Sequence, residues 1–171
     1  SALYDEADSV IGYLAINQDI TDRKELEIVS ITDRLTGLFN RQKTDRVLEE
    51  QRDRYRRYKE VYSVIIFDID HFKWINDANG HLLGDRVLKA IAEIVSGNIR
   101  RTDIAGRWGG EEFLILCPHT DQQGATAMAE ALRKSIGAHD FGLTETVTAS
   151  FGVVGVDNPV INQPTDSPDF T

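Results

Sequence analysis

Two acidic pairs in this 171-residue chain have the residue types that bind a divalent metal ion. Asp68 and Asp70 end an apolar segment that reads as a core strand, and Glu111 and Glu112 begin a second apolar segment. Carboxylates about 4 Å apart repel by roughly 4 kcal/mol at an effective dielectric of 20. If folding brings the two pairs together, a proton or a metal ion must therefore lie between them. Oxygen ligands without histidine or thiolate favour Mg²⁺ or Mn²⁺.

The two glycines that precede the glutamates indicate that the metal site also binds a phosphate group. Gly109 and Gly110 are the strongest hairpin signal in the chain. Glycine also has no side chain to block a phosphate that approaches the backbone closely. Either feature alone is more typical of a solvated loop or an ordinary hairpin. Because Mg²⁺ usually binds substrate phosphates together with carboxylates, the two features in combination predict a metal–phosphate site.

The elements that must position these residues follow from hydrophobic periodicity. We expect helices over 41–59 and 122–136, a short and a long helix within 72–100, and strands over 62–67, 104–108, 113–117 and 146–156. This order indicates an α/β fold, an α+β sandwich with one mixed sheet flanked by helices. If the hairpin lies beside the first strand in a split βαβ arrangement, the acidic pairs meet.

Composition restricts the partners. A net charge of −9 argues against nucleic-acid binding, and no apolar stretch approaches the ~20 residues that span a bilayer. We expect a cytoplasmic location without membrane contact by this part of the protein, although a parent chain could be membrane-attached. The single cysteine, Cys117, lies in an apolar run and is interpreted as a buried structural thiol. Arg52, Arg54, Arg56 and Arg57 form a basic patch, which is most simply a solvated helix face.

Three motifs carry a resemblance to a known family. The segments DxLTGLxNR (33–41), FDIDHFKxINDxxGHxxGDxVL (67–88) and RWGGEEF (107–113) resemble the GGDEF family of diguanylate cyclases. The resemblance implies the palm-like, ferredoxin-like sheet of nucleotidyl cyclases. It also implies an enzyme that condenses two GTP molecules into cyclic di-GMP and releases pyrophosphate.

The resemblance assigns catalytic roles to the acidic residues. Asp68 and Glu111 would be ligands of two Mg²⁺ ions, together with the backbone carbonyl group of Ile69. Metal ions in such a pair polarise the phosphate and help to deprotonate the attacking hydroxyl group. Glu111 would accept that proton, with support from Glu112.

The resemblance also assigns residues to the nucleotide, with Gly109 and Gly110 beside its phosphates. Asn76 and Asp85 would read guanine, with His81 nearby, because a carboxylate can accept from the N1–H and the exocyclic amine that adenine lacks. The alternative for Asp85 is an N-cap of the helix that follows. Lys73 and the amides around Phe72 would bind the triphosphate, and the alternative for Phe72 is packing in the core.

The resemblance also implies a pair of domains for turnover and a separate site for inhibition. Each domain would hold one GTP, so cyclic di-GMP would form only in an antiparallel homodimer. Arg100 and Asp103 fit the family's RxxD inhibitory site, at which arginine grips guanine O6 and N7 and the product inhibits. The alternative is a surface ion pair. Arg54 is the predicted second inhibitory arginine.

The resemblance suggests a division of the chain into three parts. Residues 1–20 resemble the C-terminal end of a PAS sensor domain, residues 21–32 a signalling linker helix that begins with a capping box, and residues 33–171 a GGDEF domain. The domain is expected to be C-terminally incomplete, since the family's AD-x-x-LY segment has no counterpart. An upstream PAS sensor is implied, and a downstream phosphodiesterase domain is compatible with it. The alternative function is a catalytically weak GTP or cyclic di-GMP binding module that regulates an attached domain.

Overall fold

The computed structural model describes residues 2–4, 10–13 and 31–156. The chain divides into two units, Ser1–Ser30 and Ile31–Thr171, and the division falls within the predicted linker. In the first unit, strands β1 (Ala2–Tyr4) and β2 (Val10–Tyr13) pair antiparallel. Nearly all of the predicted linker helix, with its capping box, lies outside the described residues, as does the segment 157–171.

The second unit contains the predicted helices and strands in the predicted order. They are α1 (Arg41–Tyr58), β3 (Tyr62–Ile69), α2 (Phe72–Asn79), α3 (His81–Asn98), β4 (Ile104–Arg107), β5 (Glu112–Pro118), α4 (Gln122–Ala138) and β6 (Ala149–Val156). The helix α1 begins as its sequence indicates, because the side chain of Asn40 accepts a hydrogen bond from the Lys43 backbone amide at 3.0 Å. None of the described helices is long and apolar enough to span a membrane.

The α/β fold is confirmed, with one correction to the strand directions. The four strands lie in the order β4-β5-β3-β6, and every pairing between them is antiparallel. The expected mixed sheet is therefore wrong for the described strands. The crossover from β3 to β4 does leave these two strands parallel, but β5 inserts between them, which is the split βαβ arrangement.

The core lies on both faces of this sheet. On one face Phe67 stacks between Phe113 and Phe151, with ring centroids 5.0 and 4.6 Å apart. Helices α3 and α4 cover this face, while α1 packs against the other through Val47. Cys117 is fully buried as predicted, and burial raises the pKa of its thiol to about 12.

Candidate functional site

The two acidic pairs meet at one edge of the sheet. Asp68 at the end of β3 lies directly opposite Glu112 at the start of β5, so both side chains project from the same face. Asp70 has a different role. Its two carboxylate oxygens accept hydrogen bonds from the hydroxyl groups of Thr148 and Ser150, each at 2.6 Å, and these bonds lower the pKa of Asp70. Asp70 therefore fastens the end of β3 to β6.

The carboxyl group of Asp68 lies among other acidic side chains. Desolvation raises the pKa of this carboxyl group, and the negative charges of Glu111, Glu112 and Asp70 raise it further. Among the described residues, no group of three or more His, Cys, Asp or Glu side chains could hold a metal ion. A metal ion here would therefore depend on two carboxylates, backbone oxygen atoms and a ligand.

The hairpin turn orients its two glutamates differently. The turn closes with hydrogen bonds from the Trp108 and Gly109 amides to the Glu112 carbonyl oxygen, at 2.8 and 3.2 Å. The carboxylate of Glu112 lies so close to Gly109 that a Cβ atom on this glycine would overlap it. The Glu112 side chain thus folds against the turn, whereas Gly110 and Glu111 line the neighbouring cavity.

A cavity of about 510 Å³ joins the hairpin turn to α2 and α3. This volume lies within the ordinary range of small-molecule sites, about 300–1,000 Å³. The lining residues are Phe72, Lys73, Asn76, Asp77, His81, Asp85, Leu88, Arg107, Gly110 and Glu111. The structure therefore gathers most of the residues that the motifs predicted. Asp68, Ile69, Gly109 and Glu112 are outside this lining and lie at the adjacent ends of β3 and β5 or in the turn between β4 and β5.

The close approach of α2 and α3 places Asn76 and Asp85 at the same cavity. Gly84 on α3 faces α2, and a Cβ atom there would overlap the side-chain oxygen of Asn76. The capping alternative for Asp85 is wrong, because α3 already begins at His81 and Gly80 occupies the N-cap. Phe72 is 7% exposed and packs in the core cluster, as its alternative predicted, and it also lines the cavity.

Sequence reasoning missed Arg107, as well as Asp77 and Leu88. Arg107 donates through Nε and Nη2 to the Gly110 carbonyl oxygen at 3.0 and 2.7 Å, and its Nη1 lies 3.3 Å from Asp33 Oδ1. The signal for Arg107 was its position as the first residue of the RWGGEEF motif, where a cation adjoins the expected phosphates. Asp77 and Leu88 gave no chemical signal of their own.

The RxxD residues form a compact turn near α1. The Asp103 Oδ2 atom accepts from the Arg100 backbone amide at 2.8 Å, and the residue is 8% exposed. Within the described part of the chain, Asp103 Oδ1 has no hydrogen-bond partner. Arg54 lines a cavity of about 250 Å³ together with Thr102 of this turn, but its Nε atom is paired with Glu60 Oε2 at 2.8 Å.

The remaining arginines of the basic patch behave as a solvated helix face. Arg52, Arg56 and Arg57 are exposed on α1. Arg56 lies 3.7 Å from the carboxylate of Asp53, one turn earlier on the same helix. Exposed pairs of this kind contribute little to stability, so the simple interpretation of the patch fits its geometry.

Comparison with known proteins identifies the family. A family model described as "Diguanylate cyclase, GGDEF domain" matches residues 30–166. The diguanylate cyclase DgcM of Escherichia coli is 37% identical over 144 residues, which cover 82% of this chain and 35% of that protein. The chain thus spans about a third of the length of this curated relative.

Solved structures share the fold. The diguanylate cyclase SiaD of Pseudomonas aeruginosa, in complex with its activator SiaC, is 39% identical with a TM-score of 0.71, covering 80% of this chain and 57% of that chain. The active GGEEF domain of a diguanylate cyclase from Vibrio cholerae is 34% identical with a TM-score of 0.65, covering 70% of this chain and 77% of that chain. On these matches, the chain belongs to the GGDEF domain family.

Proposed function

We propose that this chain is the nucleotide-binding and catalytic unit of a diguanylate cyclase, which condenses two GTP molecules into cyclic di-GMP and pyrophosphate. The observation that carries the proposal is the cavity that gathers Asn76, Asp85, Lys73 and Glu111 beside the end of β3. The GGEEF sequence of the turn is compatible with activity, because the similar Vibrio cholerae domain is an active GGEEF domain.

Guanine selection is assigned to the facing surfaces of α2 and α3. The Asp85 carboxylate can accept hydrogen bonds from guanine N1–H and from the exocyclic amine. The Asn76 amide can donate to a ring acceptor of the base and accept from one of its donors. Adenine presents no N1–H donor and no exocyclic amine at the same position. His81 lines the same wall and would bound the base pocket.

Triphosphate binding is assigned to the start of α2 and to the glycine turn. Phe72 is the first residue of α2, so the amides of its first turn point out of the helix end, where anions bind. Lys73 contributes a positive charge from the cavity wall. Gly110 has no heavy atom within 4 Å of the position that a Cβ would occupy, so the backbone there is open to a phosphate group.

The acidic residues fit a divalent cation, which we propose to be Mg²⁺ or Mn²⁺. The raised pKa of Asp68 reports desolvation and three neighbouring negative charges, and a divalent cation would relieve both penalties. Asp68, Glu111 and the Ile69 carbonyl group would hold the metal, an all-oxygen set that suits Mg²⁺. When bound, the metal would polarise the α-phosphate and lower the pKa of the 3′-hydroxyl group.

The proton and the leaving group are accounted for by residues of this chain. A Glu111 carboxylate oxygen would accept the proton of the 3′-hydroxyl group, whose oxygen forms a bond to the α-phosphorus of the other GTP. The bond to pyrophosphate breaks in the same step. Glu112, folded against Gly109, would hold the turn in its closed form.

A homodimer follows from the stoichiometry. If each cavity holds one GTP, each GTP must present both a 3′-hydroxyl group and an α-phosphate to its partner. Two chains in antiparallel orientation satisfy both requirements. Arg100 and Asp103 are proposed as the inhibitory site for the product, because the exposed Arg100 guanidinium, at the turn that Asp103 closes, could bind guanine O6 and N7.

The test is incubation of the chain with GTP and Mg²⁺, followed by chromatographic separation of the products. Wild-type protein should form cyclic di-GMP and pyrophosphate, and Glu111→Gln should lower the rate by about 10²–10⁴-fold. Glu93→Gln makes the same chemical change on an exposed part of α3, away from the cavity, and should leave the rate unchanged. GTP binding without product would instead support a binding module, and equal turnover by Glu111→Gln would contradict the assignment of this glutamate.

A further inference from the structure

Trp108, the residue before the glycine turn, is held from outside by α1. Its indole Nε1–H donates to Asp45 Oδ1 at 2.8 Å. The guanidinium carbon of Arg41 lies over the same indole ring, 4.7 Å from its centroid. Arg41 Nε is also 3.8 Å from Asp45 Oδ2, so the two α1 side chains support each other. Two residues from the first turns of α1 therefore contact Trp108, Asp45 at the edge of the indole ring and Arg41 on its face.

Trp108 belongs to the hairpin turn that also contains Glu111 and Glu112. The Trp108 backbone amide donates to the Glu112 carbonyl oxygen at 2.8 Å and closes the hairpin. Gly109 and Gly110 follow, and neither has a side chain that could fix the turn by packing. The orientation of Glu111 therefore depends on what anchors the residues that flank the glycines.

We infer that Asp45 and Arg41 are positioning residues, which hold Trp108 and thereby place Glu111 for the reaction. This inference rests on the proposed function, since it concerns the same glutamate. Neither residue is among the described residues that line the cavity, whereas both contact Trp108, so we expect them to act through Trp108.

Because Arg41 and Asp45 are exposed, their replacement can change the position of the turn without lowering the stability of the fold. The side chains of Arg41 and Asp45 are 65% and 50% exposed, and surface pairs of this kind contribute little to stability. Alanine also has a higher helix propensity than aspartate, so Asp45→Ala should not weaken α1. A loss of activity in this variant would therefore report the position of the turn and not the stability of the helix.

The experiment measures kcat and KM for GTP in variants of the full chain. Asp45→Ala and Trp108→Phe each remove the indole hydrogen bond and should lower kcat about 10-fold, since small displacements of catalytic groups have effects of this size. KM should change by less than about 2-fold, because Asn76 and Asp85 lie on other helices. Asp45→Asn keeps an acceptor oxygen and should recover most of the rate.

Two further variants make the interpretation specific. The double variant Asp45→Ala/Trp108→Phe should be no slower than either single variant, because both remove the same bond. The matched control is Arg46→Ala. Arg46 forms an equivalent exposed pair with Glu50 on α1, and its replacement should leave kcat unchanged.

A spectroscopic measurement follows the bond without catalysis. The chain has two tryptophans, so in a Trp74→Phe background the tryptophan fluorescence comes from Trp108 alone. Asp45→Ala should shift this emission and Arg46→Ala should not.

The outcomes separate the two proposals. An active wild type with unchanged kcat in Asp45→Ala, or equal losses in Arg46→Ala, would overturn the positioning role and leave the cyclase proposal intact. A wild type that makes no product would refute the proposed function, and the positioning role with it.

Discussion

Arg107 and Asp33 form an ion pair that joins the glycine turn to the first residues of the domain. The Arg107 Nη1 atom lies 3.3 Å from Asp33 Oδ1, and the same guanidinium donates to the Gly110 carbonyl oxygen at 2.7 Å. Their side chains are only 17% and 25% exposed, which distinguishes this pair from the solvent-exposed pairs of α1. Asp33 also accepts from the Thr36 amide and hydroxyl groups at 2.9 and 2.7 Å, so its carboxylate is fixed from two directions.

This carboxylate should make stability depend on pH in the acid range. Burial alone would raise the pKa of Asp33, but the hydrogen bonds from Thr36 and the charge of Arg107 leave it below the ordinary value of 3.8. The stabilisation is therefore present above pH 3.8 and is lost as the pH falls through the lower, folded-state pKa. Asp33→Asn should cost about 1–2 kcal/mol in free energy of unfolding at pH 7.

Urea unfolding of wild type and Asp33→Asn across the acid range measures this difference. The gap between the two proteins should close as the pH falls below the ordinary value for aspartate, and Asp53→Asn, in an exposed pair with Arg56, should show almost no gap. A gap for Asp33→Asn that persists unchanged in acid would refute the contribution of the ionised carboxylate.

Gly84→Ala should damage nucleotide recognition. The added methyl group would overlap the Asn76 side-chain oxygen and displace the amide from the cavity wall. Loss of one base contact typically costs about 1–3 kcal/mol of discrimination, so we expect a KM for GTP raised about 10-fold and a weaker preference for GTP over ATP. Gly97→Ala is the matched control on α3, because no atom lies within 4 Å of its would-be Cβ. Normal GTP affinity in Gly84→Ala would show that Asn76 does not contact the base.

Mg²⁺ should stabilise the wild-type chain in a thermal scan. At about 100 times the dissociation constant, binding adds roughly 2.7 kcal/mol, or several degrees of Tm at about 2–4 °C per kcal/mol. Asp68→Asn removes a partly desolvated carboxylate that neighbouring acidic side chains repel, so the Tm of this variant without metal should be higher than that of wild type. Its Tm should not respond to Mg²⁺. An equal metal-induced shift in both proteins would place the ion elsewhere.

Product inhibition should depend more strongly on Arg100 than on Arg54. Arg100 is exposed at the turn, whereas the Nε atom of Arg54 is already paired with Glu60 at 2.8 Å. Arg100→Ala should raise the cyclic di-GMP concentration for half-inhibition about 10-fold or more, since bidentate contacts with guanine are worth about 1–3 kcal/mol. Arg54→Ala should raise it by less, and Arg46→Ala not at all. An inhibition curve that Arg100→Ala leaves in place would exclude the RxxD site.

The local elements were predictable from sequence because each has a clear period or a strong boundary signal. Strands β3 and β5 are continuous apolar runs, and the Gly109–Gly110 turn separates β4 from β5. The strand directions were not predictable in the same way, because an apolar run has the same pattern whichever way its neighbour points. The insertion of β5 between β3 and β4 settles this only after the chain has folded.

The parts of the site that escaped prediction depend on contacts between distant segments. Asp70 was grouped with Asp68 as a metal-site carboxylate, yet Thr148 and Ser150, 78 and 80 residues later in the chain, occupy its oxygens. The register of β6 against β3 decides this contact, and no local pattern encodes it. Asp85 looked like a helix cap because glycine precedes it, but the helix starts one turn earlier at His81.

The backbone of Phe39 pairs with β4, so N-terminal truncations that remove this residue should affect the behaviour of the protein. Its amide donates to the Ala105 carbonyl oxygen at 3.2 Å and its own carbonyl accepts from the Arg107 amide at 2.9 Å, so it covers part of the outer rim of β4. Unpaired rims of sheets recruit strands from other molecules. A recombinant version that begins after residue 39 would therefore expose unpaired backbone groups of β4 and tend to aggregate during purification. It would do so even though every residue of the nucleotide cavity would still be present.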